Sequence, residues 1–245
     1  WMAFLEKDTE ALISISQASP AFTFPYRRES LDALEWALQN SDHWIFKYYL
    51  ALNYWGKGRI HEAHSLMKAC EERSNFAPFY LSRAHLSSMI KGENAEIDMH
   101  RAQAVGSKDW RVQRRFARYL IESDQSAEAI KYLKGAWAQH KDNYALGMDL
   151  VRQLVHAQQY QEAITVLDQL EVLPFEGASE GRQLHQQANT GAAIELMNKR
   201  DWKEAVKNLE KAKEWPERLG VGKPYDPDER LTDYLLAYCY QKLGD

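Results

Sequence analysis

Two histidines in the first half of the chain are the nearest approach to a metal-binding motif. His61 and His64 lie three residues apart, a spacing that places both imidazoles on one face of a helix. The zinc-protease helix instead requires histidines four residues apart, with a glutamate directly after the first. No third ligand is evident nearby. We therefore interpret the two as surface histidines on either side of a buried Ala63, and we predict no metal site.

A glycine-containing run, residues 219–224, suggests phosphate binding at first sight. A phosphate loop needs a glycine four residues further upstream and a serine or threonine after the lysine. Glu217 and Pro224 occupy those places, so we predict a rigid joint between helices. Neighbouring carboxylates, namely Glu71 with Glu72 and Asp226 with Asp228, are typical of solvated turns and helix ends. No residue pattern indicates an active site or a cofactor, and we expect no enzymatic activity.

Three arginines form the most distinctive charged pattern. Arg111, Arg114 and Arg118 are three and four residues apart and so share one face of a predicted helix. Guanidinium groups bind carboxylates and phosphates through paired hydrogen bonds, so an acidic group is a candidate ligand. The alternative is a solvated or internally paired basic face, with Glu122 as a possible local partner.

The helices that carry these residues are predicted by an internal repeat. A Glu-Ala or Glu-Ile pair begins at residues 62, 96, 128, 162 and 204, with spacings of 34, 32, 34 and 42. A period in the thirties indicates small supersecondary units that bury their apolar faces only by stacking into a solenoid. Apolar positions at helical spacing flank a polar turn in each unit, and Gly58 and Gly92 stand where a helix end needs positive φ.

The spacing of small residues resembles that of the tetratricopeptide repeat. In the first repeat unit, Ala51, Ala63 and Cys70 match the positions where small residues let the two helices approach closely. In the second helix of the next repeat unit the match is poor, with Ile97, Arg101 and Ala104. A sixth first helix places Leu236, Ala237 and Tyr240 inward. The resemblance implies an all-α, right-handed superhelix of about five and a half helix pairs over residues 42–245.

Residues 1–41 form a lead-in to this array. A helix is predicted from Arg28 to Asn40, preceded by an extended stretch at residues 21–25. Residues 1–18 fit either a helix or, over Leu12 to Ser16, an alternating strand. The chain starts with Trp1 and ends after a turn glycine, so we expect it to be part of a larger chain.

The sequences that join the last helix pairs carry a more specific resemblance. Residues 175–181 and 215–223 are similar to the C-terminal repeat region of large bacterial proteins, as are residues 55–63 and 76–80. The N-terminal part of those proteins is a domain of unknown function thought to have a sugar-mutarotase-like β fold. The resemblance covers most of residues 22–245 and brings no assigned activity with it.

In a tetratricopeptide array the concave wall is lined by the first helix of each pair, and this implies a groove here. The groove would take an apolar anchor at one end and an anionic group at the other. Its predicted residues are Tyr48, Leu52, Trp55, Arg111, Arg114, Arg118, Met148 and Arg152.

The sequence therefore predicts a non-catalytic scaffold that binds a protein or peptide. A net charge of −4 gives no overall attraction to nucleic acid, and no apolar run is long enough to span a membrane. Two cysteines, Cys70 and Cys239, are interpreted as reduced core thiols, which slightly favours the cytoplasm. One alternative is an accessory module beside a carbohydrate-active or sugar-binding domain. The other is self-association through Leu235, Leu236 and Tyr240.

Overall fold

The computed structural model describes residues 1–70 and 75–244, so Glu71 and Glu72 lie outside the described residues. The described part of the chain contains fourteen α-helices and one 3-10 helix, with no strand. The helices are α1 Met2–Glu6, α2 Ala11–Gln17, α3 Ser30–Asn40, α4 Trp44–Gly56, α5 Ile60–Lys68, α6 Ala77–Ser88, α7 Glu96–Val105, α8 Trp110–Glu122, α9 Ser126–Gln139, α10 Tyr144–His156, α11 Tyr160–Leu167, α12 Glu180–Asn198, α13 Trp202–Lys213 and α14 Arg230–Leu243, with the 3-10 helix at Glu217–Leu219. No helix among them is long and apolar enough to cross a membrane.

Two compact units divide the chain, Trp1–Phe116 and Ala117–Asp245, and the boundary falls within α8. In the first unit α4 packs against α3 and α5, and α6 packs against α7. In the second, α10 packs against α9 and α11, α12 against α13, and α13 against α14. Most of these neighbours are joined by short turns, as the repeat predicts, whereas residues 214–229 separate α13 from α14.

Buried alanines explain why the Glu-Ala pairs recur. Ala63, Ala129, Ala163 and Ala205 are all fully buried, one in the second helix of each pair concerned. A methyl group at these positions allows two helix backbones to approach closely. The four Glu-Ala pairs therefore mark the helix contact correctly.

The Glu-Ile pair does not mark such a contact, and this corrects the prediction for the second unit of the repeat. Ile97 is 64% exposed, whereas Asp98, Met99 and Ala102 are buried. Asp98 accepts two hydrogen bonds from Arg83 on α6, at 2.6 and 2.8 Å. This buried ion pair determines which face of α7 points inward, because the charged groups need each other once removed from water.

The ends of the helices follow the predicted turn chemistry. Gly58 and Gly92 have φ values of 76° and 90°, as expected for left-handed residues after a helix. In the N-terminal region α3 confirms the predicted helix, starting two residues later than expected. Residues 1–18 form the two helices α1 and α2, so the helical alternative is correct. Between α2 and α3 the chain is turned and not extended as predicted for residues 21–25. Phe22 has a φ of 61°. The Thr23 N–H donates to the Pro20 carbonyl at 3.2 Å, and the Tyr26 N–H donates to the Phe24 carbonyl at 2.9 Å.

The last helix packs in a different register from the predicted one. Thr232 and Cys239 are its buried residues, and Leu235, Leu236 and Leu243 pack beside them against the α13 side. Ala237 and Tyr240 are exposed, so the prediction that they face inward is wrong. Spacings of three and four residues from Thr232 to Leu243 keep the apolar stripe on one face, and Ala237 and Tyr240 lie beside that stripe.

The spacing of 42 residues between the last two pairs of the repeat is partly occupied by α12. This helix begins at Glu180, six residues before the predicted Gln186. The sequences flanking α12 and α13 also contact each other. The Val172 N–H donates to the Arg218 carbonyl at 2.7 Å, and Leu219 is buried against Gly181. A 3-10 helix ends at Leu219, and irregular chain follows Gly220. The strand before and the helix after that a phosphate loop requires are therefore not present at residues 219–224.

Candidate functional site

The predicted apolar groove residues Tyr48, Leu52 and Trp55 lie on α4, in the compact unit Trp1–Phe116, and their side chains differ in exposure. Tyr48 is buried among Trp44, Phe76 and Phe79, with ring centroids 5.7 to 6.1 Å apart, and burial raises the pKa of its hydroxyl to about 12. Its side chain therefore belongs to the core. Leu52 and Trp55 are half-buried and keep part of their surface open, and Trp55 stacks on His85 at 5.2 Å.

The arginines of the predicted groove also differ from one another. In the first unit Arg111 is exposed, with its guanidinium 4.7 Å above the Trp110 ring and 3.9 Å from an Asp109 carboxylate oxygen. Arg114 is half-buried. In the second unit Arg118 is exposed and has no ion pair with any of the described residues.

Arg152, also in the second unit, is bound by two carboxylates. It donates to buried Asp149 at 2.7 Å and to Glu180 at 2.6 to 2.7 Å. Met148 on the same helix is buried. Arg152 therefore fits the alternative in which the arginines are paired within the chain, whereas Arg118 and Arg111 remain accessible to a ligand. The anionic groove as a whole stays a prediction.

Asn53 is a polar residue that the sequence reasoning did not select. It is 4% exposed, and its amide Nδ2 donates to the Pro25 carbonyl, while its Oδ1 is buried without a hydrogen-bond partner in the described structure. The sequence did contain a signal for this residue, because Asn53 interrupts the most apolar helix of the chain. Buried amides are normally hydrogen-bonded, so a half-satisfied one needs an explanation.

The stretch that meets Asn53 is the chain between α2 and α3. Burial raises the pKa of Tyr49 beside it, and the Thr23 side chain acts in the opposite direction. A cavity of about 190 Å³ is lined by Phe24, Pro25, Tyr26 and Leu52. A larger one of about 390 Å³ is lined by Trp1, Ser30 and residues 22–27.

The histidine pair of α5 is divided between surface and core. His61 is exposed as expected, but His64 is buried, which corrects the interpretation of both as surface residues. Its Nε2 lies 3.0 Å from the Ser87 hydroxyl and 3.9 Å from a Glu93 oxygen, and burial lowers its pKa. A catalytic triad needs the carboxylate at the other ring nitrogen, so this arrangement does not match one. Among the described residues no group of three acidic, histidine or cysteine side chains could hold a metal ion.

A second buried polar cluster lies under the joints of the second unit. Arg182 is 5% exposed, and its guanidinium stacks 4.5 Å from the Trp215 ring. Its Nε and Nη1 have no hydrogen-bond partner in the described structure. Burial lowers the pKa of the neighbouring His185 to about 4, with Arg182 adding to the effect. The sequence offered no periodic signal for this cluster, because it lies in the part of α12 that precedes the repeat unit.

Comparisons with known proteins support the fold. A family model described as tetratricopeptide repeat matches residues 120–172. One similar structure is the crystal structure of YrrB, titled a TPR protein with an unusual peptide-binding site. The two sequences are 16% identical, the match covers 86% of this chain and 99% of YrrB, and the TM-score is 0.53. A tetratricopeptide repeat protein from Parabacteroides merdae is 15% identical, with 98% and 95% covered and a TM-score of 0.46. No curated protein matches the chain. The chain thus has an all-α fold of tetratricopeptide type.

Proposed function

We propose that this tetratricopeptide-type chain binds a protein or peptide partner and catalyses no reaction on it. The observation that carries the proposal is the α4 surface, where buried Asn53 donates a hydrogen bond to the main-chain carbonyl of Pro25. A surface that pairs with main-chain groups is suited to peptide recognition. The similarity of fold to YrrB, whose title names a peptide-binding site, agrees with this proposal.

A binding role also fits the state of the reactive side chains. Both cysteines are buried, and burial raises the pKa of Cys70 to about 12, which keeps the thiol protonated and poorly nucleophilic. The buried Arg83 and Asp98 are paired with each other, at 2.6 and 2.8 Å. These groups serve the fold, and partner recognition falls to the accessible residues Leu52, Trp55, Arg111 and Arg118.

The test is a selection of peptides from a random library on the immobilised chain, followed by titration of the consensus peptide in solution. We expect saturable binding and enrichment of acidic residues. Arg118→Glu should weaken binding of an acidic consensus peptide about tenfold, because it replaces attraction by repulsion. Lys131→Glu is the matched control, since it makes the same charge change at an exposed site on the second helix α9. The absence of any enriched peptide would contradict the function, and equal loss in both variants would contradict the role of Arg118.

A further inference from the structure

The chain between α2 and α3, which contacts α4 through Asn53, buries little of its surface. We call residues 21–26 the lead-in segment. Its aromatic side chains point largely into solvent, since Phe22, Phe24 and Tyr26 are 93%, 68% and 77% exposed. The hydrogen bond from Asn53 to the Pro25 carbonyl attaches it to α4, and Pro25 is its one half-buried residue. A segment that buries so little apolar surface gains little hydrophobic stabilisation where it lies.

The contact with Asn53 is also incomplete in a specific way. An asparagine amide can donate through Nδ2 and accept through Oδ1, and an extended backbone offers a carbonyl and an N–H to match. Pro25 supplies the carbonyl but has no N–H. The Asn53 Oδ1 accordingly stays buried without a partner in the described structure. A buried acceptor left unpaired is unfavourable, so the site discriminates in favour of a peptide that supplies the missing donor.

We propose that the lead-in segment is a displaceable internal occupant of the α4 surface. The partner that replaces it is an extended peptide of another protein, with a residue other than proline at the place of Pro25 and an apolar side chain over Leu52. This inference rests on the proposed function and adds where the peptide binds and what it must displace. Because the segment is tethered, its effective concentration is high, and the apparent affinity for a partner is reduced by the fraction of time that the site is occupied.

The experiment uses two labelled synthetic peptides whose binding to the full chain is followed by fluorescence anisotropy. The first has the sequence of residues 19–27, and the second differs by Pro25→Ala, which restores the backbone N–H. The chain is used as wild type and as Pro20→Gly/Ala21→Gly, which keeps Pro25. The glycines leave the α4 surface intact but give the lead-in segment more freedom when it is detached, so they shift it away from the site. Pro224→Gly/Pro227→Gly is the matched control in the second unit.

We expect the Pro25→Ala peptide to bind more tightly than the native sequence. We also expect its affinity to rise about three- to tenfold in Pro20→Gly/Ala21→Gly and to stay unchanged in the control. Asn53→Ala should weaken binding of the Pro25→Ala peptide at least tenfold and remove the difference between the two peptides. Where Asn53→Ala fails to fold, as judged by circular dichroism, Leu52→Gln replaces it, with weaker binding expected.

Three results would overturn the inference. The first is equal affinity in wild type and Pro20→Gly/Ala21→Gly, and the second is unchanged binding in Asn53→Ala. The third is a concentration-dependent dimer that Asn53→Ala abolishes, because the segment would then occupy a second copy of the chain. If library-selected peptides still bind while these tests fail, only the internal occupant is wrong. If no peptide of any kind binds, the proposed function itself fails.

Discussion

At the residue scale, buried charged groups decide which face of a helix enters the core. Asp98 occupies the inner face of α7 because Arg83 reaches it from α6, and the two side chains are almost fully buried together. The Arg83 guanidinium also donates to the Met67 carbonyl of α5 at 3.3 Å. The pair therefore connects three helices of the first unit, and an apolar pattern alone could not reveal it.

Removing one member of that pair should be costly. We expect Asp98→Ala to lower the free energy of unfolding by about 3–5 kcal/mol, because Arg83 would remain in the core without its partner. The double variant Arg83→Met/Asp98→Ala should recover most of the loss, since it removes both charges. Chemical denaturation of both variants measures the difference, with exposed Asp142→Ala as the control. A loss below about 1 kcal/mol for Asp98→Ala would argue against the structural role of the pair.

The buried His185 predicts a dependence of stability on pH. Its pKa of about 4 in the folded chain lies below the ordinary value of 6.5, first because of burial and then because of Arg182, Arg218 and Lys211, with Asp168 acting in the opposite direction. The unfolded chain therefore binds a proton more readily than the folded chain between pH 6.5 and 4. The stabilising contribution is complete above pH 6.5 and is lost as the pH falls towards 4.

Substitution of this histidine should reduce that loss. We expect the Tm of His185→Gln to fall less between pH 7 and pH 5 than that of the wild type, as measured by differential scanning calorimetry. His61→Gln, at an exposed position, is the matched control and should keep the wild-type pH profile. An identical fall of Tm in wild type and His185→Gln would show that this imidazole is not the group responsible.

At the element scale, the two joints of the second unit support each other through their backbones. Gly220 has a φ of 68°, and a Cβ atom there would lie 2.8 Å from the Val172 carbonyl oxygen. Arg218 beside it donates to Asp168 at 2.7 Å. Gly220 thus serves a close backbone contact, in agreement with the interpretation of residues 219–224 as a joint.

Gly220→Ala should destabilise the second unit. We expect a loss of about 1–3 kcal/mol, because alanine is strained at positive φ and its methyl group meets the Val172 backbone. Gly222→Ala is the control, since its Cβ would meet no atom within 4 Å. Thermal unfolding gives the size of the loss, and amide exchange of residues 170–175 should rise in Gly220→Ala alone. Equal effects of the two substitutions would contradict this account of the joint.

Repetition explains how much of the fold the sequence revealed. Small residues at the helix contacts recur, so Ala63, Ala129, Ala163 and Ala205 could be placed without a structure. The face of α7 could not, because it depends on a single ion pair between different helices. Of the candidate site, Leu52, Trp55 and Arg118 were predicted and are accessible, whereas Asn53 was missed because its partner is a carbonyl from a segment outside the repeat.

At the scale of the whole molecule, the residues that define the fold differ from those that we propose for recognition. The alanines that define the repeat are buried and lie where any array of this type would place them. The proposed recognition residues, such as Asn53, Leu52 and Arg118, are side chains of first helices that are not repeated. At 16% identity the similarity to YrrB shows the fold alone, so the identity of the partner must be read from those residues.

The central claim is that the chain binds a peptide on the surface of α4. Amide hydrogen exchange, followed by mass spectrometry with and without a saturating library-selected peptide, tests this most directly. We predict slower exchange in α4, Trp44–Gly56, and faster exchange in residues 21–26 as the lead-in segment is released, with no change in α9. Protection confined to second helices such as α5 and α9, with α4 unchanged, would contradict the claim.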